Sequence, residues 1–186
     1  DPTRDHVVLG RERHVANARD LNLPYPQRAI RTADHLYIRN YAPERWPMGD
    51  PKGLDDLTAP APDFEALEQD TFTAYADMDA SPTKAWMVHH RAEESVQEAY
   101  ALGFGKRPAE ELYDLKKDPD YLHNVADDPA YAAVKAKLGR QLQDELERQS
   151  DPRVTEAGDC RFEKAPFTDW PCPRERAQER LDMLEW

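Results

Sequence analysis

The sequence predicts an α+β fold, a small antiparallel sheet packed by a C-terminal helix. Three observations predict it. Residues 28–32 and 36–41 are strand-like runs parted by the turn pair Ala33-Asp34. Residues 111–115 form a further strand-like run, closed by Lys116-Lys117-Asp118-Pro119. Beyond it, Tyr131, Val134, Leu138, Leu142 and Leu146 recur at three- and four-residue spacing, which lays one apolar stripe along a long helix.

Taken in order, the chain opens with the strand-like run His6-Val7-Val8-Leu9. In the hairpin, Leu36, Ile38 and Asn40 alternate with Tyr37, Arg39 and Tyr41, the period of a strand. Residues 42–80 hold five prolines, several acids and few apolar clusters, an excursion too long for a plain connection. A helix starts at Ser81-Pro82, where Ser81 caps a free amide and Pro82 fits the first helical position, and runs to about residue 91. A second helix covers about 94–102 and ends near Gly103 and Gly105. Asp128 caps the long helix, Pro129 begins it, and Asp151-Pro152 follow its end near Ser150. The tail closes on a helical pattern over 175–184. The predicted organisation is a leading region over 1–27, a sheet-and-helix subdomain over 28–154 with a long insertion at about 42–80, and a cysteine-stapled tail over 155–186.

Composition narrows the function. The net charge of −12 repels phosphate backbones and anionic lipid, so nucleic-acid and membrane-surface binding are not expected. An anionic sugar would need a local basic patch. No apolar run approaches the length of a membrane span, and no leader sequence is visible. The chain begins at Asp1 and reaches a strand almost at once, which reads as part of a longer protein. Cys160 and Cys172 lack flanking histidines, so a metal role is not expected. Two readings stand: separate thiols, or one disulfide closing a small loop and contributing about 3 kcal/mol. The segment between them orders itself poorly, which favours the disulfide and with it an oxidising compartment.

Few residues are grouped as chemistry requires. Asp77, Asp79, Asp118, Asp120, Asp127 and Asp128 match no calcium-loop spacing and read as solvated acids or helix caps. His89 and His90 are adjacent on a helix, point to different faces and read as surface residues. The concentrated polar cluster is Arg11-Glu12-Arg13-His14, at the end of the first strand, where site residues are commonly mounted. Two arginines make forked hydrogen bonds to sulfate or carboxylate oxygens, Glu12 orients an arginine, and His14 donates or accepts. A solvated charge cluster is the competing reading. Arg28, Arg31 and Arg39 fall on the hairpin, where cross-strand pairing accounts for them.

Two segments carry a resemblance. Arg28-Ala29-Ile30-Arg31-Thr32-Ala33-Asp34-His35-Leu36-Tyr37-Ile38-Arg39 resembles the hairpin near the C-terminus of sulfatases. Glu111-Leu112-Tyr113-Asp114-Leu115 with Asn124-Val125-Ala126 resembles the strand and turn that precede their last helix. Tyr25-Pro26-Gln27-Arg28, Ser81-Pro82-Thr83, Asp151-Pro152-Arg153-Val154 and the two tail cysteines look like the heparan N-sulfatase group of that family, whose substrate is N-sulfoglucosamine. The resemblance implies the C-terminal subdomain of an alkaline-phosphatase-like α/β fold and an extracytoplasmic hydrolase of sulfated sugars. It implies formylglycine and calcium as cofactors, held by an N-terminal catalytic domain that would be this chain's partner. No Cys/Ser-x-Pro-x-Arg motif is present, since Cys172-Pro173-Arg174 has its proline one place early and Ser150-Asp151-Pro152-Arg153 its arginine one place early. This chain is therefore expected to be inactive alone, with Arg11, Glu12, Arg13 and His14 contacting the sugar. A non-catalytic scaffold derived from a sulfatase, or part of a phosphoesterase of the same fold, are the rival readings.

Overall fold

The computed structural model describes residues 5–155 and 160–163. In chain order its elements are β1 (His6–Arg11), β2 (Gln27–Thr32), β3 (His35–Asn40), α1 (Phe64–Gln69), α2 (Pro82–His89), α3 (Glu94–Phe104), β4 (Glu110–Asp114), α4 (Ala132–Arg148), α5 (Pro152–Thr155) and α6 (Cys160–Glu163). They fall into two compact units built from interleaved segments. The first comprises Asp1–Glu12, Tyr25–Pro43 and Pro108–Arg161, and the second Arg13–Pro24, Glu44–Arg107 and Phe162–Trp186.

The first unit is the expected α+β layer. Its sheet has the order β1-β2-β3-β4, antiparallel throughout. Register places Val8 opposite Ile30, Ile30 opposite Tyr37 and Tyr37 opposite Leu112, one row across one face. Leu138, Leu142 and Leu146 of α4 pack on that row, each contributing about 1.5–3 kcal/mol by leaving water. The opposite face buries a carboxylate: Glu111 accepts from Asn40 Nδ2 at 2.7 Å and from Tyr113 Oη at 2.7 Å. The β2–β3 turn is tight because Thr32 Oγ1 accepts from the amides of Asp34 (3.3 Å) and His35 (3.0 Å). The outer edge of β4 is covered, with Leu112 donating to Asn124 Oδ1 at 2.9 Å and accepting from Val125 at 2.8 Å. At the start of α4, Asp128 accepts from Ala130, and Pro129–Tyr131 form a 3-10 turn before the helix proper.

The second unit organises the excursion that sequence left without pattern. Leu54, Leu67, Ala74, Tyr75, Ala85, Val88, Tyr100 and Phe104 form its core. Tyr75 and Tyr100 share a hydroxyl hydrogen bond of 2.9 Å, and Phe104 packs 4.9 and 4.7 Å from their ring centres. Ser81 caps α2 by accepting from the Lys84 amide, as expected, and Gly105 caps α3. Lys84 is buried, and its ammonium donates to the carbonyls of Thr71, Tyr75 and Met78. Burial pushes its pKa down.

The structure departs from the sequence reading in several places. The strand assigned to a separate leading region over 1–27 pairs along its length with β2, so β1 belongs to the same sheet. Residues 44–80 group with α2, α3 and Arg13–Pro24 in the second unit, not as an insertion in the sheet unit. Asp77, read as a solvated acid, is buried. The Cys160–Cys172 pairing and the helical pattern over 175–184 lie outside the described residues. No helix among the described residues is long and apolar enough to cross a membrane.

Candidate functional site

The division between the units falls between Glu12 and Arg13, so the predicted cluster is shared out. In the sheet unit, Arg11 ends β1 with its guanidinium carbon 5.6 Å from the Tyr25 ring centre. Glu12 belongs to a part-buried four-membered network. Its carboxylate accepts from Arg28 at 2.8 Å and from Arg153 at 2.6 Å, while Arg28 Nε also donates to Asp151 at 2.7 Å. Arg28 is thus not explained by cross-strand pairing; it stands opposite Gly10, where a Cβ would come within 3.1 Å of its side chain. Burial alone would weaken the Arg28 charge, but hydrogen bonds to Asp151 and Glu12 outweigh it and raise its pKa. Two guanidiniums face two carboxylates, which ties β1 and β2 to the exit of α4. Glu12 holds Arg28 and Arg153 in place through these ion pairs.

In the second unit, Arg13 donates to the Asn22 carbonyl at 2.9 Å and to the Phe162 carbonyl at 2.6 Å. His14 is exposed, and its Nδ1 lies 3.2 Å from the carbonyl oxygen of Asp77. A carbonyl only accepts, so Nδ1 carries the proton and Nε2 offers a lone pair when the ring is neutral. The Asp77 side chain, 0% exposed, fixes the loop from beneath. It accepts from the Val15 amide at 2.8 Å and pairs with Arg19, itself buried. Arg19 donates further to the carbonyls of Trp46 (2.7 Å) and Pro47 (2.8 Å). Asp50 extends the support, accepting from the Asp20 amide at 2.6 Å and donating its own amide to Ala18 at 2.8 Å. The arrangement holds an imidazole on a rigid loop, with one ring nitrogen satisfied and the other able to accept from a hydroxyl or, protonated, to donate to an oxyanion.

Sequence reasoning missed Arg19, Asp77, Arg28 and Arg153. Arg19 and Asp77 are 58 positions apart, and Arg153 and Glu12 are 141 apart, so no local spacing marks either pair. Among the described residues no group of three or more His, Cys, Asp or Glu side chains is placed to hold a metal ion.

No family model matches the chain. An uncharacterised protein of Haemophilus influenzae is 34% identical over 53 residues, 28% of this chain and 27% of that protein. An ulvan-active sulfatase of Formosa agariphila is 26% identical over 127 residues, 68% of this chain and 18% of that protein. The chain therefore spans less than a third of each of these relatives, and its sequence is distantly similar to that of a sulfatase. A crystal structure of a "putative sulfatase" from Bacteroides thetaiotaomicron superposes over 92% of this chain and 24% of that one, at 17% identity and a TM-score of 0.42, a level that carries no argument.

Proposed function

We propose that this chain is the C-terminal portion of an extracytoplasmic sulfatase that removes sulfate from a sulfated sugar, and that His14 contacts the substrate. The observation that carries the reading is the similarity to an ulvan-active sulfatase over 68% of the chain. The loop geometry supports the role of His14: Nδ1 is anchored on the Asp77 carbonyl, which leaves Nε2 to accept from a sugar hydroxyl or, as imidazolium, to donate to a sulfate oxygen. Arg11 and Arg13 stand on either side of Glu12 in sequence and supply the guanidinium chemistry that a sulfate group recognises. Glu12 acts indirectly, by holding the strand end through Arg28 and Arg153.

The reaction in this reading is hydrolysis at sulfur, breaking an S–O bond of a sulfate ester or the S–N bond of N-sulfoglucosamine. Residues of this chain do not suit the cofactors of that chemistry. There is no formylglycine motif, and the described acids do not converge on a cation site. No step is derived through either group, and both belong in this reading to an N-terminal catalytic domain, without which the chain hydrolyses nothing.

Steady-state kinetics of the full-length protein test the reading, using N-sulfoglucosamine and ulvan oligosaccharides as substrates. His14→Ala is expected to lower kcat/KM by about 10–100-fold, the scale of a hydrogen bond to a charged group, with an unchanged melting temperature. Wild-type kcat/KM in His14→Ala, Arg11→Ala and Arg13→Ala alike would remove the site assignment. A wild-type protein that releases no sulfate from any sulfated sugar would remove the sulfatase reading itself.

A further inference from the structure

The sheet unit carries a groove that the cluster at Arg11–His14 does not use. It lies between the β3–β4 end of the sheet and the first turns of α4, with a volume of about 580 Å³. The helix supplies its floor. Leu138, Leu142 and Leu146 turn inward, while Ala132, Ala136 and Gly139 line the groove. Larger residues there would close α4 onto the strands; these small ones leave a trench. At Gly139 the nearest atom to a Cβ would be Tyr37 Oη, at 3.4 Å.

The walls are basic and aromatic. Arg39, Lys135 and Arg140 line the groove against a single acid, Glu110. Glu110 is engaged, accepting from Tyr37 Oη and lying 3.6 Å from Lys135 Nζ. Lys135 has a second, longer pairing to the fully exposed Asp127 at 3.8 Å. Arg39 stacks 5.1 Å from the Tyr41 ring centre, with a 3.4 Å hydrogen bond to Gln143. Arg140 is exposed and has no hydrogen bond or ion pair among the described residues. Tyr41 also lines the groove, and its hydroxyl is buried with no hydrogen-bond partner among the described residues. Burial raises its pKa, so it stays a hydroxyl donor. With Asp127 counted beside Lys135, the groove keeps a local excess of one positive charge, three cations against two acids, on a chain of charge −12. A focused basic trench on an acidic protein selects for an anion.

We infer that this groove is a second saccharide-binding site, which holds an acidic polysaccharide through its carboxylate or sulfate groups on Arg39, Lys135 and Arg140. The choice of saccharide rests on the sulfatase reading, but the groove itself does not. Its role would be to retain a long substrate on the protein, not to act on it.

Equilibrium binding without turnover tests this on the full-length protein, by titration calorimetry at low salt. The probes are a sulfated ulvan oligosaccharide, a sulfate-free oligogalacturonate and a neutral cello-oligosaccharide. The expected result is binding of one or both acidic probes and none of the neutral one, with the acidic pair showing whether sulfate or carboxylate is held. Arg140→Ala and Lys135→Ala should each weaken the binding about tenfold, the lower end for a hydrogen bond to a charged group. Ala136→Trp keeps every charge but fills the trench, and it should abolish binding. Lys137→Ala, on an exposed position of α4 outside the groove, should change nothing. None of these variants should alter sulfate release from a monosaccharide substrate. Equal binding of neutral and acidic probes, or no binding of either, overturns the inference. So does wild-type affinity in Arg140→Ala and Ala136→Trp, or an equal loss in Lys137→Ala, which would mean unshaped charge attraction. Because no catalysis is read, these outcomes are distinct from failure of the desulfation assay.

Discussion

The support beneath His14 can be broken without touching His14. Asp77 has a fully buried carboxylate that faces the Arg19 guanidinium, whose side chain is 3% exposed. Replacing Asp77 with Asn retains an acceptor for the Val15 amide but leaves the guanidinium buried without its counter-charge. Removing one partner of a buried ion pair costs about 3–5 kcal/mol, because the remaining charge stays desolvated. In a protein of this size each kcal/mol lowers the melting temperature by about 2–4 °C, so Asp77→Asn should lose about 6–20 °C. Arg19→Met should lose a comparable amount, because it also leaves the carbonyls of Trp46 and Pro47 short of a donor. The double variant should be less destabilised than the sum of the singles, since each alone strands what the other removes. Urea denaturation of wild type, both singles and the double gives the cycle directly. Additive single effects below 1 kcal/mol would refute the reasoning, since the pair would then be solvated in solution. The same variants should reduce kcat/KM of the full-length protein as His14→Ala does, because the Asp77 carbonyl holds the ring only while its side chain holds the loop.

Gly49 and Gly53 both have positive φ, +92° and +90°, but differ in surroundings. A Cβ at Gly49 would come within 2.8 Å of the Ala76 nitrogen and 2.9 Å of the Ala18 oxygen, whereas none meets anything at Gly53. Gly53→Ala should therefore cost about 1 kcal/mol of backbone strain and Gly49→Ala about 2 kcal/mol or more, read by urea denaturation; equal costs would contradict the packing described. For Asp151, burial alone would raise the pKa, but the hydrogen bonds from Arg28 and the Arg153 amide bring it below the usual value. A depressed folded pKa means stability that is complete above the unfolded value near 3.9 and lost as pH falls through the folded one. Melting temperature below about pH 4 should thus fall less steeply in Asp151→Asn than in wild type, and parallel curves would show that this carboxylate does not titrate with unfolding.

What the sequence determined by itself was local. The β2–β3 hairpin, β4, the Ser81 cap of α2 and the stripe on α4 rest on alternation, capping and three-to-four periodicity, which act within a few residues. Those features were legible because each side chain's neighbours along the chain are also its neighbours in space. The resemblance to sulfatases was read in the hairpin and in the strand and turn before α4, and the chain is distantly similar to a sulfatase over 127 residues. Only the tertiary structure decided that β1 joins the same sheet, that residues 42–80 build a core, and that Asp77 is buried instead of solvated. It also decided that Glu12 serves Arg28 and Arg153, and that Arg39 and Tyr41 of the β3 end share a groove with Lys135 and Arg140. Each of these depends on partners tens to more than a hundred positions away. An isolated Asp or Arg reads as solvated until chain packing withdraws its water, and then only the partner brought beside it determines what it does.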